Sequence, residues 1–169
     1  SYKLKDRISI SAGIAHFRFF LTNDKTRGEW RPWQELKLND KFGNCKLSHR
    51  FRVEQRFNET VKNSEATNDY QFNFRFRYRF DLRYPILKEN KSGNNIYALI
   101  GNEIMVNAGN NISYNYFDQD RLYVGVNYEI NKKIALQLQY MHVWQQASNG
   151  LTLNSNEVIR FNIYHTISI

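Results

Sequence analysis

A chain of 169 residues suits a single domain, and no shift in composition divides it. Aromatics reach 15%, yet the chain as a whole is polar, and no run approaches the ~20 apolar residues of a membrane helix, so a helical membrane protein is excluded. Cys45 is the only cysteine, which excludes an intrachain disulfide, and the net charge of +8 points to nucleic acid only if the basic residues form an exposed patch.

The predicted elements follow a period of two from end to end. Tyr2–Leu4 reads as the end of a strand, followed by a tight turn at Lys5–Asp6. Arg7–Phe20 sets Ile8, Ile10, Ala12 and Ile14 against Ser9, Ser11, Gly13 and Ala15. After a longer connection at Leu21–Arg31 comes a short strand, Trp33–Asn39, with Leu36 and Leu38 opposite Glu35 and Lys37. Lys41–Asn44 is a tight turn. Between Lys46 and Asn58, Leu47, Phe51, Val53 and Phe57 oppose Ser48, Arg50, Arg52, Glu54 and Arg56. Glu59–Asp69 is a longer polar connection.

The clearest strand runs from Tyr70 to Tyr84. One parity is Tyr70, Phe72, Phe74, Phe76, Tyr78, Phe80, Leu82 and Tyr84; the other is Gln71, Asn73, Arg75, Arg77, Arg79, Asp81 and Arg83. Successive strand side chains point to opposite faces, so one face is apolar and the other charged. Leu87–Asn95 connects to Ile96–Ala108, whose alternation is mixed; Asn102 sits on its apolar parity, and a bulge is expected there, where Glu103 follows. Beyond Gly109–Gln119, Arg121–Ile130 alternates Leu122, Val124, Val126 and Tyr128 with Arg121, Tyr123, Gly125, Asn127 and Glu129. A turn at Asn131–Lys133 leads to Ile134–Trp144, with Leu136, Leu138 and Tyr140 opposite Gln137 and Gln139. Gln146–Ser155 precedes the last strand, with Ile159, Phe161, Ile163, Ile167 and Ile169 on one side.

Eight strands and the end of a ninth, joined by alternating short turns and longer polar loops, match the layout of bacterial outer-membrane barrels. A soluble barrel also alternates, with apolar residues inward. Here the charged parity carries Arg50, Arg52, Arg56, Arg75, Arg77, Arg79 and Arg83 with few carboxylates nearby, a set that costs several kcal/mol per unpaired ion in a dry core. A stripe of Phe and Tyr turned to water is equally unfavourable. Lipid outside and a wet or ion-paired lumen inside resolves both. The lipid-facing set is then Phe51, Phe57, Phe72, Phe74, Phe76, Phe80, Leu136, Leu138, Phe161 and Ile163. Facing the lumen are the seven arginines together with Glu35, Glu54, Asp81, Glu103 and Glu129 as counter-ions.

His16, His49, His142 and His165 all fall on the apolar parity near strand ends, where polar-tipped rings suit a membrane interface. No histidine faces the lumen, so a lumenal histidine base is not expected, and Ser48 and His49 point to opposite faces. The enzymatic reading that survives is an outer-rim lipid- or peptide-modifying site using Asp118, Asp120 or Glu29. Asp118 and Asp120 otherwise read as hairpin-turn residues, and Glu29–Trp33 as an interfacial girdle. No spacing suits a metal site, no cofactor is expected, and arginine at strict period two is not a nucleic-acid patch. The arginines form either an ion-pair network that fills a narrow barrel or a lumen that attracts anions.

Several stretches carry a family resemblance: Arg31-Pro32-Trp33-Gln34, the run HRFRVEQR from His49 to Arg56, RFRYR from Arg75 to Arg79, Gly101-Asn102-Glu103, and RLYVGVNY from Arg121 to Tyr128. Together they resemble an uncharacterised outer-membrane β-barrel family of Gram-negative bacteria, of the domain of unknown function 2490 type. The resemblance implies location and fold and carries no established activity.

The expectation is an all-β, antiparallel up-and-down transmembrane barrel with residues 1–169 as one domain and the C-terminus in the periplasm. The start shows no signal peptide and begins on the end of a strand, so the expected intact barrel has ten or twelve strands. Its expected role is structural or accessory, with a narrow anion pore as the alternative. Expected partners are outer-membrane lipid, the barrel-insertion machinery and other outer-membrane subunits, with no catalytic or metal residues and no nucleic acid.

Overall fold

A computed structural model of the chain describes residues 2–20, 26–62, 65–87, 94–131, 133–147 and 149–166. Alternating, β-branched and aromatic-rich runs form nine strands: β1 (Tyr2–Lys5), β2 (Ile8–Phe20), β3 (Thr26–Phe42), β4 (Cys45–Lys62), β5 (Glu65–Leu87), β6 (Asn95–Ala108), β7 (Phe117–Glu129), β8 (Ile134–Gln146) and β9 (Leu153–His165). Each pairs antiparallel with its sequence neighbours in one sheet ordered β1 to β9, with no helix among the described residues. The sheet is a half-barrel with β1 and β9 at its edges.

Contacts that skip a strand define the concave face. Arg50 on β4 bonds Glu103 on β6 across β5, and the Tyr123 hydroxyl on β7 donates to Asp81 on β5 at 2.7 Å. The tight turn between β3 and β4 has Gly43 at φ 57°, a left-handed conformation that favours glycine. At the β7–β8 turn, Asn131 Oδ1 accepts from the Lys133 and Ile134 amides at 2.8 and 2.9 Å, holding the reversal. On the concave face, a Cβ at Gly101 would lie 2.5 Å from the ring of its cross-strand partner Tyr123, so this glycine makes room for the ring.

Several strands are longer than their patterns suggest. β3 spans 17 residues rather than Trp33–Asn39. Pro32 conceals its first half, because a proline cannot donate to the ladder. The β3–β4 register is indeed interrupted at Arg31 and Pro32, while β2 pairs with both and carries the strand through. The expected Glu59–Asp69 loop is mostly strand, since β4 runs to Lys62 and β5 starts at Glu65. The expected bulge at Asn102 is absent: Asn102 stays on the convex parity, opposite Phe80 and Leu122. The irregularity lies on β7, where Met105 pairs with Gln119 and Val106 with Phe117, leaving Asp118 as the extra residue. The expected outward tail residues Ile167 and Ile169 and most of the Leu87–Asn95 connection lie outside the described residues.

Candidate functional site on the concave face

The register places arginines and carboxylates in adjacent concave rows of β3, β4, β5 and β6. Arg52 pairs with Glu35 and Arg77, Glu54 with Trp33 and Arg75, and Glu103 with Arg79 and Arg121 across the rows. Side chains then bridge diagonally. Glu54, almost fully buried, accepts from Arg77 at 2.6 Å. Arg77 also donates to Glu103 at 2.8 Å, and Arg50 bonds Glu103 from the other side. Arg52 meets Glu35 at 2.5 Å and lies 4.3 Å from the Trp33 ring. Arg121 approaches Glu103 at 3.6 Å.

Toward the loop end, Glu29 has no exposed surface and takes Arg31 at 2.7 Å and Arg56 at 2.7 and 3.0 Å. Arg75 reaches Asp118 at 2.8 Å and the Asn107 side-chain carbonyl at 3.3 Å. Nearer the turn end, Arg79 donates to Asp81 at 2.9 Å. Glu29, Glu54 and Glu103 are each approached by more than one guanidinium fork, whose planar donors suit multidentate pairing, whereas Asp81 and Asp118 each take one. The bulge at Asp118 has a visible consequence: the extra residue turns inward and supplies Arg75 with its counter-ion.

The seven arginines and five acids expected to face a lumen all lie on this concave face, and the ten residues expected to face lipid lie on the convex one. Glu129 sits apart from the ladder, 3.6 Å from Lys46. Arg83 has neither a hydrogen bond nor an ion pair among the described residues. Sequence reading missed Glu29, Arg31, Asp118 and Arg121 as ladder members. Extending the alternation of β3 back through Pro32 would have found the first two; the bulged Asp118 leaves no such signal.

The remaining concave surface, from β6 to β8, is different in kind. Leu99, Tyr123, Met141 and Val143 form a small buried cluster, beside Asn127, Gln137 and Gln139. Both side-chain polar atoms of Gln137 are buried without a partner among the described residues, as are Asn127 Nδ2 and Gln139 Nε2.

The rim residues Glu29, Asp118 and Asp120 are not brought together. The first two are held in separate ion pairs, and Asp120 faces the convex side, accepting from the Asn102 amide at 2.5 Å. Asp118 and Asp120 belong to β7, not to a turn. The Glu29–Trp33 girdle divides between the two faces: Trp30 packs against His16 outside with the rings tilted, while Glu29 and Arg31 pair inside. His16, His49, His142 and His165 all keep the convex parity. His142 Nε2 lies 2.8 Å from Ser155 Oγ across the β8–β9 pair, a couple visible only once the hairpin register is known. Among the described residues no third group is bonded to that imidazole, and no cluster could hold a metal ion.

The family described as "Protein of unknown function (DUF2490)" matches residues 1–154, and the chain belongs to it. No curated protein and no solved structure matches the chain.

Proposed function

We propose that this family member is an outer-membrane β-barrel protein of structural or accessory role, its arginine-rich concave face forming a lumen braced by ion pairs. The observation that carries this reading is the inversion of its two faces. The buried charged residues Glu29, Glu54, Asp81 and Glu103 line the concave side, while Phe51, Phe57, Phe72, Phe76, Leu138, Phe161 and Ile163 stand exposed on the convex side. An exposed apolar face of that extent is a hazard in water and a requirement in lipid. Eight of the nine strands have 13 residues or more, beyond the about 9–11 needed to cross a bilayer at a tilt. The same reading puts the C-terminus at the periplasmic side and makes outer-membrane lipid and the barrel-insertion machinery its partners, together with other subunits of an outer-membrane assembly.

A second reading, a narrow anion-permeable pore, draws on the excess of arginine over carboxylate on the concave face. One set of preparations tests both. Extracted in mild detergent, the protein is expected to migrate faster on a gel before heating than after, and to be silent in a planar bilayer. Solubility without detergent overturns the membrane reading; anion-selective conductance replaces the accessory role with the pore.

A further inference from the structure

At the turn end of the concave face the pairing of charges thins, and Lys46 keeps only a 3.6 Å approach to Glu129 and a place 4.1 Å from the Tyr97 ring. The register makes Lys41 and Lys46 direct cross-strand partners, and Lys46 and Arg83 likewise, so one row across β3, β4 and β5 carries three cations. Like charges directly opposite one another destabilise a sheet. Two rows toward the loop end, Lys37, Arg50 and Arg79 form another such row, but there Glu103 pairs with Arg79 across β5–β6 and closes it. The intervening row offers one carboxylate, Asp81, already committed to Arg79 and the Tyr123 hydroxyl. Lys46 comes no nearer than 3.6 Å to Glu129, and neither Lys37 nor Arg83 has an ion pair or hydrogen bond among the described residues. Ser48 Oγ, in the same row as Asp81, is buried without a hydrogen-bond partner among the described residues.

These groups line a cavity of about 440 Å³. Its walls hold five cations, Arg7, Lys37, Lys41, Lys46 and Arg83, against two carboxylates, Asp6 and Asp40. Asp40 already meets Arg7 at 2.8 Å on the exposed rim. A volume of this order falls in the ~300–1,000 Å³ range of small-molecule sites.

We infer that this turn-end cavity is a binding site for a multiply charged phosphate group, held by Lys37, Lys41, Lys46 and Arg83 with the Ser48 hydroxyl as a further donor. Lysines act as movable point charges and arginine as a planar fork, a combination that suits an anion with several oxygens. The ligand is larger than inorganic phosphate, because the cavity is. The phosphate belongs either to a soluble phosphoester entering from the turn end or to a lipid headgroup at that rim. The site is built from side chains and a cavity alone, so it goes beyond the proposed accessory role.

Calorimetric titration of the detergent-extracted protein with inorganic diphosphate tests this at low salt. Saturable binding is expected, weakening as salt rises. Arg83→Gln and Lys46→Gln are each expected to weaken it about tenfold. Arg18→Gln, at the loop end of β2, removes the same charge and is expected to leave binding unchanged. Lys41 is exposed, so Lys41→Gln serves as a fold-safe variant if either of the others loses its unheated gel mobility. Diphosphate binding that depends on these residues establishes the soluble source. Failure to bind diphosphate, with Lys46- and Arg83-dependent retention of phosphatidic acid in bilayer discs, establishes the headgroup. Neither form of binding, or equal weakening by Arg18→Gln, overturns the site while leaving the membrane placement untouched.

Discussion

Between β3 and β5 the concave face is an arginine–carboxylate ladder, whereas between β6 and β8 the same face holds Tyr97, Leu99, Met105, Met141 and Val143 beside the amides of Asn127, Gln137 and Gln139. Glu103 on β6 is the seam, taking arginines from β4, β5 and β7. The two halves solve one problem with different chemistry. A half-barrel must fill its inner side, either with long side chains that meet as ion pairs or with apolar residues that pack. The ladder is rigid where each charge has a partner and costly where one is removed. The neutral half loses packing when it is cut, but no charge is stranded there.

The largest expected effect is at the seam. Glu103→Gln removes the negative charge that Arg50 and Arg77 share and that Arg121 faces. Breaking one side of a buried pair costs about 3–5 kcal/mol, and the partly exposed arginines put this case at the lower end of that range. The temperature at which the unheated gel band is lost is expected to fall by more for Glu103→Gln than for any single truncation in the neutral half. If the two shifts are equal, the ladder contributes no more than packing does.

This contrast also explains what could be read from the chain alone. Between Tyr70 and Tyr84 of β5 the two parities differ in polarity at every position, so Arg75, Arg77 and Arg79 fall on the face opposite to Phe74, Phe76 and Phe80 without any structure. In β6 both parities are apolar in places, because Tyr97, Leu99 and Met105 pack on the concave side while Ile100, Ile104 and Val106 face outward. Where the inner face is filled by packing, alternation loses its contrast, and Asn102 then looks like a break in register. Partners were not legible either. The pattern alone would make Arg77 a tolerant, solvated position, yet its bonds to both Glu54 and Glu103 make it one of the least replaceable arginines; of the seven arginines expected to face the lumen, Arg83 is the one without a counter-ion among the described residues. The cation row of Lys41, Lys46 and Arg83 depends on the registers of two successive strand pairs, which hydrophobic periodicity does not specify.

A smaller effect is expected from Met141→Ala in the neutral half. Met141 is nearly inaccessible and belongs to the cluster with Leu99, Tyr123 and Val143. Truncating a buried methionine costs roughly 2–5 kcal/mol, and a face packed from one side can relax toward the hole, so about 2 kcal/mol is expected. The same gel transition measures it, and added salt should leave the shift unchanged, whereas it should alter the shift caused by Glu103→Gln. Salt sensitivity in both variants would erase the distinction between the two halves.

The smallest effect has the opposite sign. Gln137 is 1% exposed, stands opposite Asn127 across β7–β8, and has neither its amide nitrogen nor its oxygen bonded among the described residues. A buried polar group without a partner carries its desolvation cost uncompensated, and replacing it with an apolar side chain of similar size removes that cost. Gln137→Leu is therefore expected to raise stability by about 1 kcal/mol, seen as a higher transition temperature of the gel band. The sign is informative beyond its size. A loss of similar magnitude would mean that Gln137 bonds to water in the concave space, so the half between β6 and β8 would be wet rather than packed. The two halves would then differ only in whether their polar groups carry charge, and the inner side would be a continuous aqueous surface beside the ladder, which favours the pore over the braced barrel.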